Sequence, residues 1–71
     1  MLQVWPARVR EMIAELQADG WVSVAQHGDH RHFKHPTNPG EVTVPGNPGH
    51  EIAKGTVASI RRQAGLRGNG R

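Results

Sequence analysis

The stretch "WVSVAQHGDHRHFKH", residues 21–35, predicts a β-hairpin. Its first six residues alternate apolar with small or polar side chains, as in a strand with Val22 and Val24 on one face. The "HGD" that follows, residues 27–29, is a turn signal because glycine and aspartate favour tight turns. The last six residues, 30–35, then form a second strand that pairs antiparallel with the first.

The second strand of this hairpin divides its side chains between two faces, because successive strand residues point to opposite sides of a sheet. Phe33 is its one large apolar residue and is predicted to point into the core. His30, His32 and Lys34 then share the opposite face, which is open to water. Arg31 has the parity of Phe33, and its place near the strand end is predicted to spare it full burial.

A third strand follows the hairpin. The Pro/Asn/Gly-rich loop "PTNPG", residues 36–40, ends the second strand, and "EVTVP", residues 41–45, is the next strand, with Val42 and Val44 inward. The hairpin order predicts an antiparallel three-stranded sheet.

A helix is predicted before the sheet, over residues 6–19. Pro6 is well tolerated in a first helical turn, and Gly20 is a common helix end because glycine adopts the left-handed conformation. Apolar residues recur at the spacing of one helical face. This stripe consists of Val9, Met12, Ile13 and Leu16.

A second helix is predicted after the sheet. The Gly/Pro-rich connection over residues 46–55 contains a single predicted turn at residues 51–53. Thr56 is the predicted N-cap of a helix that runs through Ala64 and ends at Gly65. Its inward residues are Val57 and Ile60.

These elements predict an α+β fold with the order α-β-β-β-α. A twisted sheet with both helices on one face buries the apolar side of every element and leaves the other sheet face open. Residues 1–66 are predicted to form a single domain, and residues 67–71 a flexible C-terminal tail. Trp21, at the junction of helix and strand, either covers the edge of the core or stacks on a nucleic-acid base.

The composition limits the kind of protein this is. A chain of 71 residues buries only about 60% of the surface that its unfolded form exposes, so its core is small. Any active site is therefore shallow. The absence of cysteine excludes disulfides and thiolate zinc sites and suits a reducing cytoplasm. No apolar run is long enough for a membrane span or a signal peptide. The formal net charge of +3 and the isoelectric point near 10.7 suit a polyanionic partner.

Four of the five histidines lie in residues 27–36, and three interpretations of them stay open. His30 and His32 form a His-x-His pair that chelates zinc if His35 or His50 adds a third ligand, although neighbouring cations oppose a dication. Alternatively, an imidazole, with an ordinary pKa near 6.5, acts as an acid or base toward RNA, which carries its own nucleophile in the 2′-hydroxyl. The third interpretation is a polar strand without chemistry.

Further residues are candidates for contacts with RNA. Gly28 is expected to serve the turn, since glycine adopts a positive φ without strain. Basic side chains on the sheet, in the connection after it and on the second helix are candidate phosphate contacts. These are Arg31, Lys34, Lys54, Arg61 and Arg62, and His32 on the open face is a further candidate.

Three segments of the chain resemble the HicA toxin family, the YcfA-like mRNA interferases of type II toxin–antitoxin modules. They are "DGWVSVAQHGDHRHFKHP", "VTVPG" and "GTVASIRRQAGL". The family shows a "GW" strand opening, a "G-[SD]-H-[HR]-x-[FY]-x-H-P" segment, a "VTVP" strand and an "S-I-x-x-Q-A-G-L" helix end. The resemblance covers about residues 7–66, with the pieces in family order.

The resemblance implies a fold like that of double-stranded-RNA-binding domains and cleavage of mRNA by one catalytic histidine without a metal or cofactor. The family's catalytic histidine corresponds to His30. Arg31 stands where many relatives have a second histidine, and Asn47 where many have histidine or another residue before Pro-Gly. The implied partners are mRNA and a HicB-type antitoxin, with no membrane, and a toxin that is monomeric until it joins the antitoxin. The alternative is a non-catalytic RNA-binding module of the same fold.

Overall fold

The computed structural model describes residues 8–66, so Pro6 and the predicted tail at 67–71 lie outside the described residues. Within that range no helix is long and apolar enough to cross a membrane. The predicted order α-β-β-β-α is confirmed. The elements are α1 (Val9–Ala18), β1 (Val22–His27), β2 (His30–Lys34), β3 (Glu41–Val44) and α2 (Lys54–Ala64).

The three strands form one antiparallel sheet in the order β1-β2-β3, as predicted. The turn between β1 and β2 has only two residues, because His27 belongs to β1 and pairs with His30. Gly28 has φ +62°, as a type II′ turn requires at its first central position. The Gln26 side chain donates a hydrogen bond to the Gly28 carbonyl at 3.0 Å and closes the turn.

Substitution of Gly28 is expected to destabilise the hairpin through backbone strain alone. A Cβ atom at this position meets nothing within 4 Å, so the cost comes from the positive φ. Gly28→Ala is expected to lower the free energy of unfolding by about 1–2 kcal/mol, measured by urea denaturation. Gly55→Ala is the matched control, because Gly55 also has open space but lies in a helix without a positive φ. Equal stabilities of the two variants would contradict this explanation.

The core lies between the sheet and the two helices, which pack on the same sheet face. Phe33, Val42 and Val44 are fully buried, so the predicted inward parity of β2 and β3 is confirmed. The α1 stripe is confirmed except at its edge, where Ile13 is only partly buried. The helices contribute Val9, Met12, Leu16, Val57, Ile60 and Ala64 to this core.

Trp21 closes one end of the core and is 1% exposed, so of its two predicted roles the structure supports coverage of the core. Its indole Nε1 donates to Asp19 Oδ2 at 3.2 Å. The His35 ring packs edge-on against it with 5.2 Å between ring centroids. His35 Nδ1 accepts from the backbone N–H groups of Thr37 and Asn38, which leaves Nε2 to donate to the Asp19 carbonyl at 2.7 Å. His35 therefore follows β2 as a structural residue.

The predicted helix ends are confirmed at both glycines. Gly20 has φ +98°, and a Cβ atom there would lie 2.8 Å from His35 Nε2, so both conformation and space require glycine. Gly65 has φ +74° and caps α2, as predicted.

The predicted start of α1 at residue 6 is wrong within the described range, since the helix begins at Val9. Arg8 is held in extended conformation by a bridge to Glu51. The Glu11 carboxylate accepts a hydrogen bond from the Arg8 N–H at 3.0 Å and supports the helix start. Tertiary pairing of Arg8 thus sets the first residue of α1.

Two predictions for the last connection are wrong. The turn lies at Asn47–His50, where His50 N donates to the Asn47 carbonyl at 2.9 Å, and not at residues 51–53. Thr56 is not the N-cap, because Val57 N already donates to the Ala53 carbonyl at 3.0 Å and α2 begins at Lys54. The Pro-Gly pair after Asn47 forms the turn, which leaves Glu51 free to pair with Arg8.

An ion pair joins the two helices. Arg61 on α2 donates from Nε and Nη2 to the two carboxylate oxygens of Glu15 on α1, each at 2.8 Å. These hydrogen bonds, together with the negative charge of Glu15, raise the pKa of Arg61 above its ordinary value. Arg61 therefore holds α1 and α2 together.

Candidate active site

The face of the sheet opposite the helices carries a row of polar side chains. Cross-strand partners share a face, so the pairing places His27 beside His30, and His32 beside Thr43. Lys34 lies on the same face, as predicted, opposite Glu41 of β3. We call this surface the open face and define it by these six residues.

His30 is the first residue of β2, and its side chain is 55% exposed. Its Nδ1 atom lies 3.2 Å from Asp29 Oδ1. A carboxylate at this distance favours a proton on Nδ1, which leaves the lone pair of Nε2 as the proton acceptor. The site therefore offers an accessible imidazole beside a carboxylate.

His32 lies on the same strand and face but is more enclosed, with 25% of its side chain exposed. Its Nδ1 atom is 2.9 Å from Thr43 Oγ1 and 3.7 Å from Glu41 Oε2. These contacts from β3 fix the ring against the sheet. Of the two histidines considered from the sequence, His30 is thus the more accessible to a large substrate.

His27 is a third imidazole of the open face and was not singled out by the sequence reasoning. It is exposed and lies directly opposite His30 across the turn. Its ring meets the ring of His32 edge-on, with centroids 5.2 Å apart. The position of His27 opposite His30 could have been predicted from the sequence. A two-residue Gly-Asp turn makes the residues on either side of it a cross-strand pair.

The candidate RNA-binding residues are divided between several surfaces. Only His32 and Lys34 share the open face with His30. Arg31 pairs with Gln26 and Val44 on the inner side of the sheet, where it is half-buried and its Nε atom has no hydrogen-bond partner within the described range. The other candidates belong to α2, which packs on the far side of the sheet. They are Lys54, Arg61 and Arg62.

In the described part of the chain, no third ligand joins His30 and His32 in a metal site. In residues 8–66 no three His, Cys, Asp or Glu side chains are grouped so as to hold a metal ion. His35, one proposed ligand, has both ring nitrogens engaged. An open depression of about 330 Å³ lies along residues 34–40, and none of the three open-face histidines lines it. The candidate site is therefore a sheet surface.

Comparison with known proteins agrees with this fold. The family model described as "HicA toxin of bacterial toxin-antitoxin" matches residues 9–66. A solved structure, "Toxin-Antitoxin complex from Streptococcus pneumoniae", has a chain 31% identical to this one with a TM-score of 0.71; the match covers 86% of this chain and 100% of that one. No curated protein matches. Because the family model spans both helices and the whole sheet, this chain belongs to the HicA family of bacterial toxins.

Proposed function

We propose that this toxin is a metal-independent endoribonuclease that cleaves mRNA with His30 as its catalytic base. The observation that carries the proposal is the exposed His30 imidazole, whose Nδ1 atom faces Asp29 at 3.2 Å. An exposed imidazole on an open surface suits a long flexible polymer, which a small domain has no room to enclose.

The reaction uses a nucleophile that RNA itself carries. His30 Nε2 takes the proton of a ribose 2′-hydroxyl, and the 2′-oxygen attacks the adjacent phosphorus. The bond from phosphorus to the 5′-oxygen then breaks, which leaves a 2′,3′-cyclic phosphate and a 5′-hydroxyl.

Substrate binding follows from the distribution of cations. Lys34 lies on the open face, where it binds a phosphate next to the cleavage point. Lys54 and Arg62 on α2 are exposed and bind phosphates of RNA that passes around the domain. Arg61, by contrast, donates both of its described hydrogen bonds to Glu15 and contributes to stability.

The proposed partner is a HicB-type antitoxin that covers the open face. The structural relative comes from a toxin–antitoxin complex, which supports a protein partner for this chain. Val22 and Val24 of β1 are 56% and 53% exposed, and Val22 pairs with Lys34 beside the histidines. An antitoxin that buries these valines also blocks His30. The toxin alone is then monomeric and joins the antitoxin as a heteromer.

Incubation of the purified toxin with a long transcript in EDTA tests the proposed function. We expect fragments that end in 2′,3′-cyclic phosphate, because neither the nucleophile nor the base depends on a metal. Gel electrophoresis and end analysis measure both. Intact transcript that is only retarded on the gel would favour a non-catalytic RNA-binding module, and cleavage that stops in EDTA would favour metal-dependent chemistry.

A further inference from the structure

We infer that His27 is a second catalytic residue, which protonates the leaving 5′-oxygen while His30 deprotonates the 2′-hydroxyl. The inference rests on the proposed nuclease function and adds to it. His27 directly precedes Gly28, the first residue of the "G-[SD]-H" segment that the HicA family shares. The family pattern therefore assigns no role to His27, and the geometry of this chain carries the inference.

The hairpin places these two residues opposite each other. His27 and His30 are direct cross-strand partners at the end of the β1-β2 ladder. Side chains at such positions have Cβ atoms about 4.5–5.5 Å apart. Both are exposed, and only Gly28 and Asp29 separate them along the chain. One phosphodiester laid across the turn therefore contacts both rings.

The position of His27 is supported by its neighbours. Its ring packs edge-on against His32 at 5.2 Å, and His32 is itself held by Thr43 Oγ1 at 2.9 Å. Within residues 8–66 no hydrogen bond engages the nitrogens of the His27 ring. The ring is thus placed by packing while its N–H groups stay available to a substrate. In this arrangement His32 is a positioning residue.

The arrangement fits an in-line displacement at phosphorus. Entering and leaving oxygens lie on opposite sides of the phosphorus atom, so the two proton transfers occur at separate points. Among the described side chains, the open-face histidines do not converge as the ligands of one metal ion do. Imidazoles on two neighbouring strands instead reach the two sides of one phosphodiester.

The protons of this reaction balance when His30 begins neutral and His27 begins protonated. His30 Nε2 takes the 2′-hydroxyl proton as the bond from the 2′-oxygen to phosphorus forms. The bond from phosphorus to the 5′-oxygen breaks, its electron pair goes to that oxygen, and His27 supplies the proton that makes the 5′-hydroxyl. His30 ends protonated and His27 neutral, and proton exchange with water restores both.

A substrate with an altered leaving group tests this assignment. In RNA with a 5′-bridging sulfur at one linkage, the leaving thiolate needs no proton, so a general acid is dispensable there. His27→Ala is expected to lower cleavage of ordinary RNA by about 10²–10⁴-fold and to cleave the sulfur-bridged linkage at nearly the wild-type rate. His30→Ala is expected to be slow on both. His50→Ala, which removes an exposed histidine outside the sheet, is the control and keeps the wild-type rate on both.

The outcomes separate the two hypotheses. A wild-type protein that cleaves neither substrate would overturn the proposed function and with it the role of His27. A wild-type protein that cleaves ordinary RNA, with His27→Ala just as fast, would overturn the role of His27 alone. Equal loss by His27→Ala on both substrates would also overturn it, since only a general acid is bypassed by the sulfur. Activity on the sulfur-bridged RNA shows in the same experiment that the variant is folded.

Discussion

Replacement of His30 by alanine is expected to lower RNA cleavage by about 10²–10⁴-fold, the usual contribution of a general acid or base. The loss is expected in the chemical step, because His30 accepts the proton of the attacking hydroxyl. Cleavage of a labelled transcript in EDTA under single-turnover conditions measures it. Expression of the variant without its antitoxin is expected to permit growth that the wild-type toxin arrests.

The fold is expected to survive this substitution. The His30 side chain is 55% exposed, and its described contact is with Asp29, also about half exposed. Surface changes of this kind usually alter the free energy of unfolding by about 0.5 kcal/mol or less. Urea denaturation checks the fold, and His50→Ala serves as the matched histidine control. A folded His30→Ala protein that cleaves at the wild-type rate would refute the catalytic assignment.

Phe33→Ala is expected to have the largest effect on stability. Phe33 is fully buried at the centre of the sheet, between Ser23 and Val42 on the neighbouring strands. Loss of such a ring costs about 3–5 kcal/mol through lost burial and the cavity that remains. A small domain near the lower end of the usual stability of about 5–15 kcal/mol then has a large unfolded population at room temperature.

The next residue along β2 provides the control. Lys34 is exposed on the open face, so Lys34→Ala is expected to change the free energy of unfolding by about 0.5 kcal/mol or less. Circular dichroism during urea denaturation compares the two variants. A loss below about 1 kcal/mol for Phe33→Ala would show that the parity of β2 is misassigned.

The contrast between Phe33 and its neighbours shows why much of the site was predictable. Strand side chains alternate, and a single large apolar residue decides which parity faces the core. That rule placed His30, His32 and Lys34 together on the open face before any tertiary contact was known. The same parity placed Arg31 on the inner side, where its half-burial agrees with the expectation.

The error at the start of α1 has a tertiary cause. Propensity allowed α1 to begin near Pro6, but long-range pairing decided otherwise. Arg8 pairs with Glu51, 43 positions away, and remains extended. Local sequence carries no information about such a partner, because the pairing exists only when the chain has folded.

The sequence by itself determined the order of the elements, the hairpin turn at Gly28 and the face on which His30 lies, because these follow from local periodicity and backbone conformation. Only the tertiary structure decided that the His27 ring packs against His32, that Thr43 hydrogen-bonds to His32, and that Arg61 forms an ion pair with Glu15. These contacts join residues of different strands or helices. Their geometry depends on register, twist and side-chain rotamers, which packing of the whole core sets.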